Sequence, residues 1–250
     1  MDHAAALTEQ NRLLAELYRT ADPETDVPTC PGWTLRKLAT HVGRGDRWAA
    51  TIVRERSGTY VDIRTVAGGR PPSDQDGVAA WLGAGVEELL TAVAGVGADT
   101  PVWTFVGPQP AAWWIRRRLH EATVHRADAA LAVGGDYQLP AELAADGLSE
   151  WLDLVAARPA ASGPAPLRPG DTLHLHATDP DLGDTGEWFV RSEADGVSWA
   201  HGHQKGQVAV RARAVDLLLA AMRRTRSDHG RVEVLGDPAV WRTWLERTGF

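Results

Sequence analysis

The run Arg118-Leu119-His120-Glu121-Ala122-Thr123-Val124-His125-Arg126-Ala127-Asp128 places an acid and a base four residues apart. On an α-helix that spacing stacks Glu121 and His125 on one face, one turn apart, where a carboxylate and an imidazole can share a metal ion. His120 and His125 are five apart, about 140° around a helix of 3.6 residues per turn. They therefore cannot face one ion together, and the run is not the His-Glu-x-x-His pattern of zinc proteases. His120 is expected to point away or to stand behind the ligands. Asp128, three residues beyond His125, is positioned to orient it as a hydrogen-bond acceptor.

Two ligands leave a divalent ion under-coordinated, so a third has to come from another helix. His41 is the best placed, beside Leu38 and Val42 at the edge of an apolar stripe. Ligands projecting inward from facing helices are how bundles build metal sites. Two histidines and a glutamate with a fourth position open form a catalytic type of zinc site. An isolated Glu-x-x-x-His is also common as a surface pair, and spacing alone does not separate the two readings.

Working outward, residues 4–20, 35 to about 54–56, 77–96 and 111–133 carry apolar positions at helical spacing, with Thr34 as an N-cap for the second segment. In the third, Val78, Leu82, Val86, Leu89, Leu90 and Val93 form the apolar face, with Trp81 at its edge. Proline- and glycine-rich connections separate the segments, which together predict a four-helix bundle with a long crossover. A fifth helix over 140–157 and a linker over 159–170 follow. Beyond them, Thr172-Leu173-His174-Leu175-His176-Ala177 alternates with period two. Further strands are expected at 187–191, 197–200 and 207–210, and helices at 212–226 and 238–247. The expected class is α + (α+β), with a bundle over 1–137 and a small α+β domain over 138–250.

The net charge of −7 argues against general nucleic-acid binding. Arg116-Arg117-Arg118 and the group Arg223, Arg224 and Arg226 are the densest basic runs, and each reads as a solvated helix face. No stretch of about eighteen consecutive apolar residues predicts a membrane span. Met1-Asp2-His3 does not begin like a signal peptide, and Cys30, the only cysteine, cannot form an internal disulfide. These features point to the cytoplasm. Cys30 has no local cation to activate it, so packing before the second helix is the expected role. His174 with His176, and His201 with His203, are pairs that could bind metal but read as solvent-facing. Trp113 and Trp114 are candidates to line a pocket.

Val27-Pro28-Thr29-Cys30-Pro31-Gly32-Trp33-Thr34, followed by Leu38-Ala39-Thr40-His41-Val42-Gly43-Arg44, resembles the N-terminal signature of the mycothiol-dependent maleylpyruvate isomerase family. The stretch 113–129 resembles its second signature. Leu175-x-Ala177-Thr178-Asp179, Asp216-Leu217-Leu218-Leu219 and Gly236-Asp237-Pro238-Ala239-Val240 with Trp244-Leu245 follow in the family's order, so the resemblance covers nearly the whole chain. It implies a DinB-like metal-binding bundle followed by a sterol-carrier-like domain, with metal ligands at His41, Glu121 and His125.

The resemblance also implies a catalytic arginine from the C-terminal domain, matched by Arg224 with Arg223 as the fallback. This chain has Met222-Arg223-Arg224 where members often have Trp-Gly-Arg. A helix C-terminus attracts both arginines in any case. The implied cofactors are a divalent metal, zinc first with iron or nickel also suited, and mycothiol as thiol cosubstrate, which together with composition suggests an actinobacterial source. The implied reaction is cis–trans isomerisation of a small electrophilic substrate. The alternatives are mycothiol S-transfer to another electrophile, a non-catalytic metal-binding regulatory module, and a hydrolase, for which only a poorly placed His120 offers a base.

Overall fold

The computed structural model describes residues 1–159, 163–225 and 230–249. These divide into two compact units, Asp2–Tyr137 and Gln138–Phe250, with Met1 assigned to the second.

Four helices build the first unit: α1 (His3–Thr20), α2 (Leu35–Arg54), α3 (Gln75–Val96) and α4 (Trp113–Ala132). Each starts where the chain offers a break or a cap. Asp2 accepts from the amides of Ala4 and Ala5, and Asp74 from that of Gly77. Thr34 occupies the N-cap position of α2, but its side chain makes no capping hydrogen bond. Helix α1 packs on α3 and α4, and α2 packs on the same two, forming the expected four-helix bundle. A short antiparallel pair, β1 (Pro101–Val102) and β2 (Gln109–Pro110), closes the connection into α4.

Helix α3 is long and apolar enough to cross a membrane by composition, but it buries Val78, Leu82, Val86, Leu89 and Val93 in the bundle. Leu90 stays at the rim, whereas Trp81 moves from the expected edge into the core. Its indole donates to Gly68 O at 2.8 Å, and the Arg47 guanidinium lies 4.4 Å from its ring centroid. Gly43 makes room for it, because a Cβ there would collide with the ring.

The bundle also buries charge, which corrects the reading of Arg116–Arg118 as a solvated face. Arg117 and Arg118 are both buried. Arg118 Nε donates to Asp46 Oδ1 at 2.8 Å and its Nη2 to Val42 O at 3.0 Å, joining α4 to α2. A Cβ on Gly45 would stand 2.7 Å from that guanidinium. Burial pushes the Asp46 carboxyl above its ordinary range, and Arg118 only partly restores it. A charge pair of this kind has little net worth but is expensive to break from one side.

In the second unit, α5 (Ala141–Ala156) precedes a five-stranded sheet: β3 (Thr172–Ala177), β4 (Glu187–Glu193), β5 (Gly196–His201), β6 (Val208–Ala212) and β7 (Glu233–Gly236), with α6 (Ala214–Ala221) and α7 (Pro238–Thr248). The strand order is β5-β4-β3-β6-β7, parallel only between β3 and β6. This is the expected α+β character, with β7 an addition the alternation did not reveal. Its pattern is mostly exposed, as befits an edge strand. The motif residues here are structural. Asp179 accepts from the Ala214 amide at 2.6 Å, capping α6, and Asp237 caps α7 through the Ala239 amide.

Helix α6 is shorter than expected. Arg223 adopts a left-handed conformation (φ 58°), and the Arg224 amide folds back to Leu219 O at 2.7 Å, which ends the helix. The expected helix end at Arg226 and part of the expected linker, residues 160–162, lie outside the described residues.

Replacing Asp46 by Ala should strand Arg118 without its counter-ion and cost about 3–5 kcal/mol of unfolding free energy. Urea denaturation of the purified variant measures it, and a cost below about 1 kcal/mol would contradict the account.

Candidate metal centre

The α2–α4 interface brings His41, Glu121 and His125 together. Glu121 Oε2 lies 3.5 Å from His41 Nε2 and 3.7 Å from His125 Nε2. One ligand atom from each residue falls within 4.8 Å of the others. Ions bound at about 2.0–2.1 Å in a tetrahedron hold their ligands roughly 3.3 Å apart, so small adjustments suffice for a shared ion. His120 is buried but outside this trio, in line with its offset around the helix.

Two of the three candidate ligands are held from behind. His125 Nδ1 sits 2.9 Å from Asp128 Oδ2, the contact expected three residues along the helix. With Nδ1 protonated, the Nε2 lone pair is directed toward Glu121. Asp128 is fully buried and serves the connection before α2 as well: Thr29 Oγ1 donates to its Oδ1 at 2.6 Å, and Cys30 Sγ lies 3.4 Å from its Oδ2. The Thr29-Cys30 segment is thereby docked on α4, which refines the packing role expected of Cys30.

Burial opposes ionisation of Glu121, but His41, Arg117, His125 and Arg118 together outweigh it and hold its carboxyl well below the usual range. Arg117 Nη2 stands 3.5 Å from Oε1, and Arg118 Nη1 stands 3.6 Å from Oε2. Despite these charges, Oε2 is buried and makes no hydrogen bond among the described residues. An ionised oxygen left in that state is costly unless a cation takes its lone pair. The donor set and this oxygen without a hydrogen bond fit a divalent metal.

Sequence reasoning missed two supports. Trp33 covers the two imidazoles, its ring centroid 4.9 Å from that of His41 and 5.9 Å from that of His125. It stands in the quoted Thr29–Trp33 run, but nothing in its spacing pointed at the ligands. Arg117 and Arg118 precede Glu121 by four and three residues, and that helical spacing was the available signal. Trp113 and Trp114 instead join an aromatic cluster with Trp48, Trp103 and Phe105. Helix geometry puts Trp113 about 12 Å along α4 from Glu121. Arg224 belongs to the second unit, where its Nη1 donates to Met222 O at 2.8 Å, as an arginine at a helix end does.

The family model for the mycothiol maleylpyruvate isomerase N-terminal domain matches residues 3–130, and that for the MDMPI C-terminal domain matches residues 142–243. The chain belongs to this family. Comparison with curated proteins gave no match. Among solved structures, a mycothiol-dependent maleylpyruvate isomerase is similar over 93% of this chain and 91% of that one, with 15% identity and a TM-score of 0.61. A histidine-to-alanine mutant of such an isomerase aligns over the same shares with 14% identity and a TM-score of 0.60. At that identity the likeness shows a shared fold. Within the family's N-terminal region, the Thr-Cys segment quoted above is the one that Asp128 anchors.

An Asp128→Ala variant should lose about 1–3 kcal/mol, because the carboxylate's buried hydrogen bonds go with it. Cys30 should then react faster with a thiol reagent under native conditions. Denaturant unfolding and labelling rates check both, and unchanged labelling would argue against the contact.

Proposed function

We propose that this chain is a metal-dependent enzyme that uses mycothiol as cosubstrate and isomerises a cis alkene of the maleylpyruvate type. The observation that carries the proposal is the convergence of His41 and His125 on the buried, ionised Glu121 Oε2, which makes no hydrogen bond among the described residues, in a member of this family. These three residues would hold the ion, with zinc the first expectation for a donor set of two imidazoles and a carboxylate. Bound there, the ion supplies the Lewis acidity that favours thiolate over thiol at neutral pH.

The chain's own residues do the rest by position. Asp128 fixes the His125 ring, the two arginines keep Glu121 ionised, and Trp33 shields the imidazoles on one side. His41, whose side chain is 40% exposed, marks the accessible side for an incoming thiol. Cys30 is engaged with Asp128, so the attacking sulfur comes from outside.

Addition of that thiolate to the activated double bond forms a C–S bond and moves the electron pair onto the adjacent carbonyl as an enolate. Rotation about the new single bond follows. Collapse of the enolate then expels the thiolate and restores the double bond as trans. Arg224 is assigned to the substrate carboxylate or the enolate, where a guanidinium fork suits a planar anion. Arg223 is the weaker choice, because its guanidinium is packed against Gly249. The reduced thiol required by this chemistry makes the cytoplasm the proposed setting.

Mycothiol-dependent turnover of maleylpyruvate, with elemental analysis, tests the reading. His125→Ala should remove about one equivalent of metal per chain and lower turnover by at least about 100-fold, and Asp128→Asn should weaken metal binding by about 10–100-fold. Metal retention with mycothiol attached to an electrophile instead of isomerisation would replace the isomerase with an S-transferase using the same thiolate. Metal content unaffected by His125→Ala would overturn the site.

A further inference from the structure

The second unit carries another convergence of ligand atoms, unrelated to the bundle site. Period-two alternation puts His174 and His176 on one face of β3. Glu187 opens β4 directly opposite His176 in the antiparallel register. The chain leaving β5 turns at Gly202 (φ 134°), a conformation that suits glycine. That turn brings His203 back to Glu187.

The returning segment is fixed rather than draped. Gln207 N donates to Thr172 Oγ1, and Thr172 N donates to Gln207 Oε1, both at 3.0 Å. Gly206 passes so close to β3 that a Cβ would stand 3.0 Å from the His174 amide nitrogen. His201 takes no part. Its Nδ1 lies 2.9 Å from the Glu187 backbone oxygen, so the pairing of His201 with His203 read from sequence gives way to one of His203 with the β3 histidines.

Glu187 Oε2 is the centre of the group. It lies 2.7 Å from His174 Nε2, 2.7 Å from His203 Nδ1 and 3.3 Å from His176 Nδ1. The four ligand atoms fall within 4.8 Å of one another. Three imidazole nitrogens thus face a single carboxylate oxygen, which has two lone pairs. A cation resolves the crowding, because it takes one lone pair from each of the four groups. The distances from Glu187 Oε2 run from 2.7 to 3.3 Å, against roughly 3.3 Å in a tetrahedral site, so an ion would require two of the histidines to part from it by about half an ångström. His174 and Glu187 are largely covered, while the His203 side chain is 75% exposed, so the group is anchored below and reachable from above.

We propose that His174, His176, Glu187 and His203 form a second metal site, which binds a borderline divalent transition ion of the zinc class. Three imidazoles and one carboxylate suit zinc, copper or nickel, and are too few and too nitrogen-rich for calcium or magnesium. Four protein ligands complete a tetrahedron and leave no position for substrate. The site is therefore a clip that ties the β5–β6 connection to β3 and β4.

The test uses full-length protein carrying His125→Ala, so that the bundle site does not contribute. Calorimetric titration with zinc and the visible absorption of bound cobalt read the site directly. About one tetrahedral ion per chain is expected, with zinc raising the melting temperature. Adding His203→Ala, an exposed position whose loss leaves the fold intact, should weaken binding at least tenfold and abolish the thermal shift. Glu187→Gln, which keeps a hydrogen-bonding oxygen but loses the charge, should act likewise. Binding no tighter than about millimolar, or binding indifferent to His203 and Glu187, would overturn the proposal.

Discussion

The Arg118 guanidinium is the point where the bundle and the proposed chemistry meet. It rises from α4, donates to Asp46 and to the Val42 carbonyl on α2, and stands beside Glu121 one turn along its own helix. A buried cation needs anions and acceptors around it. Once α4 carries it inward, α2 can lie only where those acceptors are supplied. The same positioning puts His41 opposite Glu121. Register between the two helices and coincidence of the ligands are therefore set by one charge, with Gly45 giving the space it occupies.

Around that charge the candidate ligands are placed by groups that would not need to touch an ion. Asp128 holds His125 and at the same time fastens the Thr29-Cys30 segment, from which Trp33 extends over both imidazoles. The connection before α2 is thus part of the candidate site's wall. The second unit repeats the principle with different parts, since Glu187 on β4 gathers two histidines from β3 and a third from a returning loop.

The helices, the strands β3 to β6 of the second unit and the Glu121–His125 pairing were legible because each rests on local periodicity, which a sequence displays directly. The position of His41 at the edge of the bundle face was legible from its place beside Leu38 and Val42. Burial of Arg117 and Arg118 was not, because charged residues on a helix face ordinarily seek water, and Arg118's partners Asp46 and Val42 lie more than seventy residues away. The covering role of Trp33 depends on how a connection folds back, and period carries no information about that. β7 escaped because an exposed four-residue edge strand shows no alternation. The end of α6 escaped because Arg223, not a glycine, takes the left-handed position.

The glycines of the bundle have a consequence for how it assembles. Gly43 and Gly45 sit inside α2, and Gly85 sits inside α3 against the Arg47 guanidinium. Each lowers intrinsic helicity by about 1 kcal/mol relative to alanine, so α2 is a weak helix on its own. What makes it helical is Trp81 at the Gly43 notch and Arg118 at the Gly45 notch, both of which arrive from other parts of the chain. Secondary structure and tertiary contact in α2 must then form together, and the bundle condenses cooperatively rather than by docking of preformed rods.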